Sequence, residues 1–371
     1  MISTIKRSIK NDDKKFAPMN RNSFRQPIYN PKQYCKQIVK SNYFYALLIL
    51  RHHIKVATDY YFGVKLKAKN IDLFMLTPSV SSPAGPGSNS KAIPIKFGKF
   101  KTFLVDSSQF GFEPLLLNKF DKVYCYLPSM RGEKSDSRHL NQFYHCEMEM
   151  IGSLDSLIPK IEGYIKELSE MILLMPNIIN RISENPQKTK EILGKIIKIN
   201  NFPSISFDEA VEILIKNGHK KLIKFKKHGK DISHKGEIEL MKILDINTPF
   251  WLKHFDRDRV AFYQKPKDND ATKTINADLL FPPLIPKSFG GEIVGSGQRQ
   301  DNVSEMYKSL KRQKISPKPY KWYIDLRKIP GYKTTSGFGM GIERFIAWFL
   351  AKDDIKNVIL YPRIRDIRTY P

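Results

Sequence analysis

The sequence predicts an α+β fold in which two groups of strands are separated by a block of helices. Short β-like runs occupy the first part of the chain and end at residues 142–151, where apolar and acidic residues alternate. Apolar residues then recur at helical spacing over residues 153–244, and strand-like runs resume at residue 259. With 41% hydrophobic residues, the 371-residue chain can build a packed core, which excludes a wholly disordered protein.

The first half of the chain is predicted to contain one long helix and several short strands. Residues 1–36 are polar and basic, and we interpret them as a flexible arm or an irregular, basic N-terminal extension. Apolar spacing predicts a helix from residue 37 to about residue 63. A buried strand at 71–77, ended by Pro78, precedes a Ser/Pro/Gly loop at 79–90, and strands follow at 101–105, 122–127 and 142–151.

The second half is predicted to begin with a helical insertion at residues 153–245. Within it, Ser206-Phe-Asp-Glu209 has the pattern of a capping box at a helix start. Later strands are predicted at 259–264, 275–281, 292–294 and 320–326. A glycine-dense turn at 337–341 then leads into an apolar helix at 342–350.

Composition narrows the function class but leaves one question open. The formal net charge of +26 suits a polyanionic partner or an anionic substrate, although lysines spread along the chain fit a merely lysine-rich composition equally well. Three cysteines are too few for a disulfide framework or a Cys-rich zinc site. Neither a membrane span nor a secretory signal is apparent. We therefore expect a cytoplasmic protein with no membrane partner.

Two motifs indicate a nucleotide site. Gly337-Phe-Gly-Met-Gly-Ile-Glu-Arg344 sets an arginine in the first turn of a buried helix, where unpaired N–H groups and a guanidinium together attract anions. Met130-Arg-Gly-Glu133 is followed by the pair Arg138-His139 and by Phe143. Cationic side chains in a row with a flat aromatic fit an extended anionic ligand with a planar end, such as ATP.

These motifs resemble the catalytic core of class II aminoacyl-tRNA synthetases, in the asparaginyl/aspartyl subgroup. The second family motif matches Met130-Arg-Gly-Glu133 with Arg138-His-Leu-Asn-Gln-Phe143, and the third matches the glycine motif ending at Arg344. Pro78 matches the proline of the first. The resemblance implies a mostly antiparallel sheet flanked by helices, a catalytic domain over 37–371 that contains the insertion, and a homodimer.

The resemblance also implies an ATP site with Mg²⁺. By position, Arg131 would contact the α-phosphate and the substrate carboxyl oxygen, and Arg344 would contact the γ-phosphate. His139 would assist on the outer phosphates, Phe143 would stack on adenine, and Glu133 would lie near the adenine amino group. Arg138 and Gly341 belong to the same nucleotide site, and Asp278 and Glu292 match the family's magnesium ligands.

An amino-acid pocket is implied by a second set of matches. Ser107 and Gln109 match the family's Ser-x-Gln, which reaches the substrate backbone, and Glu147 would meet the α-ammonium. Glu113 stands where the asparaginyl type carries a glutamate, which accepts from an amide and repels a carboxylate. With Arg299 donating to the side-chain oxygen, the pocket is predicted to select asparagine or an asparagine-like group.

Departures from the family pattern shape the predicted function. The acidic stretch near the α-ammonium reads Ser82-Pro83-Ala84-Gly85, and the family's Pro-His before the glycines reads Thr335-Ser336. The 36 leading residues are too few for the family's anticodon-reading barrel, so a catalytic core alone is expected.

Three functions follow from these departures, in order of preference. The first is an AMP-forming enzyme that activates an Asn- or Asp-like carboxyl or amide group of an amino acid or peptide, with release of pyrophosphate. Its acceptor would be ammonia, an amine or a peptide, with tRNA possible but not favoured as a partner. The second is a reduced asparaginyl-tRNA synthetase, whose best candidate tRNA contact is the lysine-rich run at residues 220–227. The third is a non-catalytic nucleotide or tRNA binder, which the joint presence of the phosphate arginines and metal acids argues against.

Overall fold

An eight-stranded sheet organises the molecule, as seen in a computed structural model that describes residues 1–81, 90–226 and 229–370. Its strand order is β1-β5-β6-β15-β14-β13-β10-β7. The strands, in chain order, are β1 (Lys69–Asn70), β2 (Leu76–Thr77), β3 (Pro94–Phe97), β4 (Phe100–Leu104), β5 (Lys122–Met130), β6 (Gln142–Ile151), β7 (Ser204–Ser206), β8 (Ile223–Lys226), β9 (Gly229–Ile232), β10 (Phe250–Lys253), β11 (Pro266–Lys267), β12 (Asp270–Thr274), β13 (Asn276–Phe281), β14 (Gly291–Gln298) and β15 (Thr335–Gly341).

The pairing confirms the predicted α+β fold with a mostly antiparallel sheet. From β5 to β10 every neighbouring pair in this sheet is antiparallel, and only the two outermost pairs, β1 with β5 and β7 with β10, are parallel. Smaller sheets are formed by β2-β4-β3, by β8 with β9 and by β11 with β12.

Helices cover one face of the large sheet. The helices of the described residues, in chain order, are α1 (Ile2–Lys14), α2 (Tyr34–Lys40), α3 (Asn42–Asp59), α4 (Gln109–Leu116), α5 (Leu154–Leu173), α6 (Pro176–Ile182), α7 (Pro186–Lys198), α8 (Phe207–Lys216), α9 (His234–Ile243), α10 (Val303–Gln313), α11 (Lys321–Asp325) and α12 (Ile342–Phe349). Buried residues of α3, α5, α6, α7 and α12 form one hydrophobic core with the apolar face of the sheet. The opposite face carries polar groups, together with smaller apolar clusters that β5 forms with α4 and that β10 forms with α8 and α9.

The predicted insertion is helical in its first part and mixed in its second. Helices α5, α6 and α7 join the main core. Helices α8 and α9 instead build a second core with Ile223 of β8, Ile232 of β9 and part of β10. The capping box predicted at Ser206 and Glu209 is present at the start of α8, with reciprocal side-chain to backbone hydrogen bonds. The boundaries 37–371 and 153–245 remain predictions.

The N-terminal extension is not the flexible arm predicted from its composition. Residues 2–14 form helix α1, and Ile9 and Phe16 are fully buried in the main core. The carboxylate of Asp13 accepts hydrogen bonds from the backbone N–H groups of Asn177 and Ile178 at 3.2 and 2.9 Å. The polar majority of this segment faces outward, while a few apolar side chains and one buried acid attach it to α6.

Several strand predictions were wrong in detail. Residues 320–326 are mostly helical, as α11 with flanking 3₁₀ turns, and residues 259–264 form turns rather than a strand. The run 71–77 is a strand only at its last two residues, and the glycine-rich segment 337–341 belongs to β15 rather than to a turn. Most of the loop predicted at 79–90 lies outside the described residues. In the described part of the chain, no helix is long and apolar enough to cross a membrane.

Candidate active site

The alternating side-chain directions of β6 place its polar residues on the face opposite its buried apolar residues. In β6, Cys146 and Met148 are buried in the main core, whereas the residues between them point to the opposite face. That face carries His145, Glu147 and Glu149, three polar residues at every second position. The period-2 pattern of β6 therefore brings a histidine and two acids to the sheet face opposite the main core.

Three glycines of β15 lie directly opposite these polar side chains. The register pairs Gly337 with Glu149, Gly339 with Glu147 and Gly341 with His145. A Cβ at Gly337 would overlap Oε2 of Glu149 and would stand 2.7 Å from both Nη2 of Arg299 and Oε1 of Gln109. Gly337 thus leaves open the space that Glu149, Arg299 and Gln109 fill.

The first cavity gathers the predicted nucleotide residues. Its lining includes Arg131, Glu133, Arg138, His139, Phe143, Glu292, Gly341 and Arg344. The Arg131 guanidinium lies 5.2 Å from the centre of the Phe143 ring, and Nη1 of Arg344 donates to the carbonyl of Glu292 at 3.1 Å. Three arginines and an aromatic face line one cleft, the arrangement that an extended phosphate ligand with a planar base requires.

Burial and nearby positive charge lower the pKa values of two basic side chains in this cleft. Burial lowers the pKa of His139, and the nearby Arg344 lowers it further, so the ring is neutral at pH 7. Burial and Arg344 likewise lower the pKa of Arg138 to about 10. An anionic ligand would relieve this mutual repulsion.

Three residues not predicted as site members hold Arg138 in place. Its Nη1 donates to the carbonyl of Gly290 at 2.6 Å and contacts Nε2 of His234 at 2.6 Å. Its guanidinium also stacks 4.4 Å from the centre of the Phe289 ring. His234 opens α9 of the insertion, and no local pattern in the sequence links that position to the second motif.

A second cavity gathers most of the predicted amino-acid residues. Its lining includes Ser107, Gln109, Arg131, Glu147, Asp278, Glu292 and Arg299. Glu147 accepts from the Ser107 hydroxyl and, at 2.7 Å, from the backbone N–H of Ser108. Burial raises the pKa of Glu147, and these two donors oppose the rise. Glu147 is therefore a fixed acceptor at the position where a substrate ammonium is expected.

Arg299 is held by a glutamate that was not predicted as a site residue. Glu149 accepts from Nε and Nη2 of Arg299 at 2.9 and 2.7 Å, and Gln109 accepts from the same Nη2. Thr335 donates to Glu149 at 2.8 Å. The signal was present in the sequence, because Glu149 stands two residues from Glu147 in a strand and so shares its face.

Glu113 does not line this cavity, so its predicted contact with a substrate amide stays a prediction. It is fully buried on α4 and forms an ion pair with Nη2 of Arg327 at 2.7 Å. The hydroxyls of Tyr323 and Tyr332 also donate to its carboxylate. Glu113 thus lies behind the pocket wall, where Arg327 neutralises its charge, and Glu149 is the acid that faces Arg299.

Asp278 and Glu292 converge as the predicted metal ligands. They lie on paired strands β13 and β14, and a Cβ at Gly295 would meet Oδ1 of Asp278 at 3.5 Å and Oε1 of Glu292 at 3.6 Å. Burial raises the pKa of Asp278, and the charge of Glu292 raises it further. No cluster of three or more His, Cys, Asp or Glu side chains suited to a metal ion occurs in the described ranges. Two converging carboxylates fit a Mg²⁺ ion that takes its remaining oxygens from phosphates and water.

Comparison with known proteins agrees with this geometry. Residues 45–365 match the family described as tRNA synthetases class II (D, K and N). The chain is 34% identical over 283 residues to an asparagine–tRNA ligase of Pyrococcus abyssi, covering 75% of this chain and 60% of that protein. A probable cytoplasmic asparagine–tRNA ligase of Encephalitozoon cuniculi is 28% identical over 325 residues, 84% of this chain and 65% of that protein.

Solved structures agree as well. Asparaginyl-tRNA synthetase from Pyrococcus horikoshii, complexed with asparaginyl-adenylate, superposes with a TM-score of 0.79 at 26% identity, covering 92% of this chain and 74% of that one. The Entamoeba histolytica enzyme in complex with the same adenylate gives 0.76 at 25% identity, covering 94% and 74%.

The fold and the site define a class II synthetase catalytic core. The chain belongs to the class II tRNA synthetases of the D, K and N group. It spans about 60% of the length of the first curated relatives that it matches.

Proposed function

We propose that this chain is an AMP-forming ligase that activates asparagine with ATP and transfers it to tRNA. One observation carries the proposal: Arg131 lines both the nucleotide cleft and the amino-acid pocket. A side chain shared by the two cavities is suited to contact an α-phosphate and a substrate carboxylate at once. That junction is where an acyl-adenylate forms, because the carboxylate oxygen must reach the α-phosphorus there.

The chemistry needs positioning and charge stabilisation rather than a protein nucleophile. The substrate carboxylate oxygen bonds to the α-phosphorus, the bond to the bridging oxygen breaks, and pyrophosphate leaves with that electron pair. Arg131 and Arg344 would donate to the phosphoryl oxygens, where negative charge develops. Neutral His139 would contribute a hydrogen bond without adding charge.

ATP and Mg²⁺ fit the residues present. The converging carboxylates Asp278 and Glu292 would hold the ion, which would neutralise charge on the phosphates. Arg138, already crowded by Arg344, would contact the outer phosphates. Phe143 offers a flat face to adenine.

The pocket's charge balance favours asparagine over aspartate. Arg299 is compensated by Glu149, and the Glu113 behind it is compensated by Arg327. A neutral amide side chain adds no charge to this pocket, whereas an aspartate side chain brings an uncompensated buried carboxylate. Discrimination is therefore attributed to a neutral pocket rather than to direct contact with Glu113.

We propose tRNA as the acceptor in place of the non-tRNA acceptor expected from the sequence. The two curated relatives described above are named as asparagine–tRNA ligases, so they support the tRNA reading better. The expected loss of an ammonium partner concerned residues 82–85, which lie outside the described residues. The homodimer stays a prediction, with Tyr45 and Leu48 of α3 exposing apolar surface.

Two assays test the proposal. ATP–pyrophosphate exchange is measured with asparagine, aspartate and an asparagine-ended peptide, and asparagine charging is measured with total tRNA. We expect asparagine-dependent exchange and the formation of Asn-tRNA. Exchange that prefers the peptide, together with no charging of tRNA, would restore the non-tRNA acceptor. Absence of exchange with every substrate would reject the adenylating activity.

A further inference from the structure

A third cavity lies between the N-terminal extension and the end of α6, away from the active site. It has a volume of about 690 Å³ and shares no lining residue with the nucleotide cleft or the amino-acid pocket. Its size is that of a small-molecule site. One wall comes from residues 21–26, which precede the region matched by the family, so the cavity is built partly by sequence outside that match.

Positive charge dominates the lining of this cavity. Four cationic side chains line it, and Glu184 is the one acid among them. The cations are Arg21, Arg25, Arg181 and Lys352. Glu184 is engaged with Lys352, whose Nζ lies 2.5 Å from its Oε1. Among the described lining residues, the three arginines therefore have no acidic partner.

The hydrogen bonds of these arginines do not neutralise their charge, and they leave some N–H donors without an acceptor among the described residues. Arg21 donates to the carbonyl of Ser183 at 3.3 Å, and Arg181 donates to the carbonyl of Ala17 at 3.0 Å. Both acceptors are neutral. The Nε of Arg181 is buried without a hydrogen-bond partner, and Arg25 makes no hydrogen bond or ion pair with the described residues. An unpaired buried donor beside uncompensated charge indicates an anionic acceptor.

The surroundings of Lys352 also show an excess of positive charge in this cavity. The side chain is 3% exposed, and burial lowers its pKa. The positive charge of Arg21 lowers that pKa further, while Glu184 and the nearby Asp353 raise it. An anion in the cavity would reduce the repulsion between these cations.

We propose that this cavity binds a phosphate-bearing ligand and that binding fastens the N-terminal extension to α6. Three guanidinium groups offer forked donors that match the several oxygens of a phosphate, and their combined charge suits a dianion better than a single carboxylate. Arg21 and Arg25 come from the extension, whereas Arg181 and Lys352 come from the catalytic domain. A ligand that spans them joins the two parts of the wall.

The test is amide hydrogen exchange of residues 16–26 in the full chain. Inorganic phosphate, AMP and a hexauridine oligonucleotide are each compared with chloride at equal ionic strength. We expect severalfold slower exchange with at least one of them. Protection by inorganic phosphate or AMP identifies a small phosphate ligand, and protection by the oligonucleotide alone identifies a nucleic-acid backbone. No protection by any of the three overturns the proposal.

Two variants and a control keep the test specific. Arg25→Gln removes a side chain without an internal partner, so it should keep the extension docked but abolish the protection. Arg181→Gln should abolish it as well and also loosen the segment without ligand. Lys32→Gln changes an exposed lysine that does not line the cavity and should respond like the wild type. Full protection in Arg25→Gln would overturn the assignment. Pyrophosphate exchange is measured in parallel and should be unchanged in all three variants.

Discussion

Three glycines of β15, which have no side chain, form part of the floor of the active site. Gly337, Gly339 and Gly341 face Glu149, Glu147 and His145 across the strand pair. Of these three glycines, only Gly337 has no room for a side chain, because the Glu149–Arg299 ion pair and Gln109 fill the space that a Cβ would take. The three glycines are alike in sequence but differ in the room above them.

This difference predicts unequal effects of adding one methyl group. Gly337→Ala should displace the Glu149–Arg299 pair and lower the free energy of unfolding by about 1–3 kcal/mol, the usual range for overpacking. Gly339→Ala is the matched control, because its Cβ would meet Oε1 of Glu147 at 3.4 Å, an ordinary contact. Urea unfolding measures both. Equal losses in the two variants would show that Gly337 is not specially constrained.

Arg131 is predicted to act on both substrates at their junction. Arg131→Ala should slow asparagine-dependent pyrophosphate exchange roughly 10²–10³-fold, by analogy with the loss of one oxyanion donor. Lys134→Ala, an exposed lysine three residues away, is the control and should exchange at the wild-type rate. If Arg131→Ala retains near wild-type exchange, Arg131 does not have this role.

At the scale of elements, strands with strict alternation were predictable and aromatic-rich segments were less so. The prediction for β6 matched its observed bounds, residues 142–151, because one of its faces is apolar and the other acidic. The run 320–326 is rich in aromatic and branched residues, a composition that favours a strand prediction. Yet Tyr320, Tyr323, Ile324 and Arg327 are the buried ones, which is helical spacing.

The site was predictable where a motif brought its residues together and unpredictable where the fold did. Arg131, His139, Phe143 and Arg344 line one cleft as predicted from two motifs. The ion pair of Glu113 with Arg327 was not predicted, because the two residues are more than 200 positions apart in the chain. Pairing between distant buried charges depends on packing, which spacing along the sequence does not encode.

Helix α1 is attached to α6 by one buried acid, and this makes a testable element-level prediction. Asp13→Ala should remove the acceptor for the first backbone N–H groups of α6 and cost about 0.5–2 kcal/mol, as for the loss of a helix N-cap. Lys14→Ala, exposed on the same turn, is the control and should be near neutral. Thermal unfolding measures both variants, and equal stability of the two would contradict the capping role.

At the scale of the whole molecule, the sheet separates a buried apolar face from a charged one. The formal charge of +26 gives the protein a strong field at its surface. If these positive charges bind the phosphates of tRNA, binding releases counterions from the RNA, and the affinity for tRNA depends on salt concentration.

The affinity for total tRNA is therefore predicted to fall linearly with salt on a log–log plot. Between 50 and 200 mM salt, about 6–10 phosphate contacts would weaken binding by roughly 10³–10⁵. Filter binding measures this, with asparagine affinity over the same range as the control, because a neutral pocket should respond little. An affinity for tRNA that does not change with salt would show that the lysine surplus is compositional.

The two buried ion pairs beneath the amino-acid pocket have an evolutionary consequence. The pairs Arg299–Glu149 and Arg327–Glu113 are each electrically neutral, so replacing one member by an uncharged residue leaves an unpaired charge in the interior. Drift toward another amino acid must therefore pass through an unstable intermediate or change both members of a pair together. Laboratory libraries that vary these four positions in couples should recover folded variants far more often than libraries that vary them one at a time.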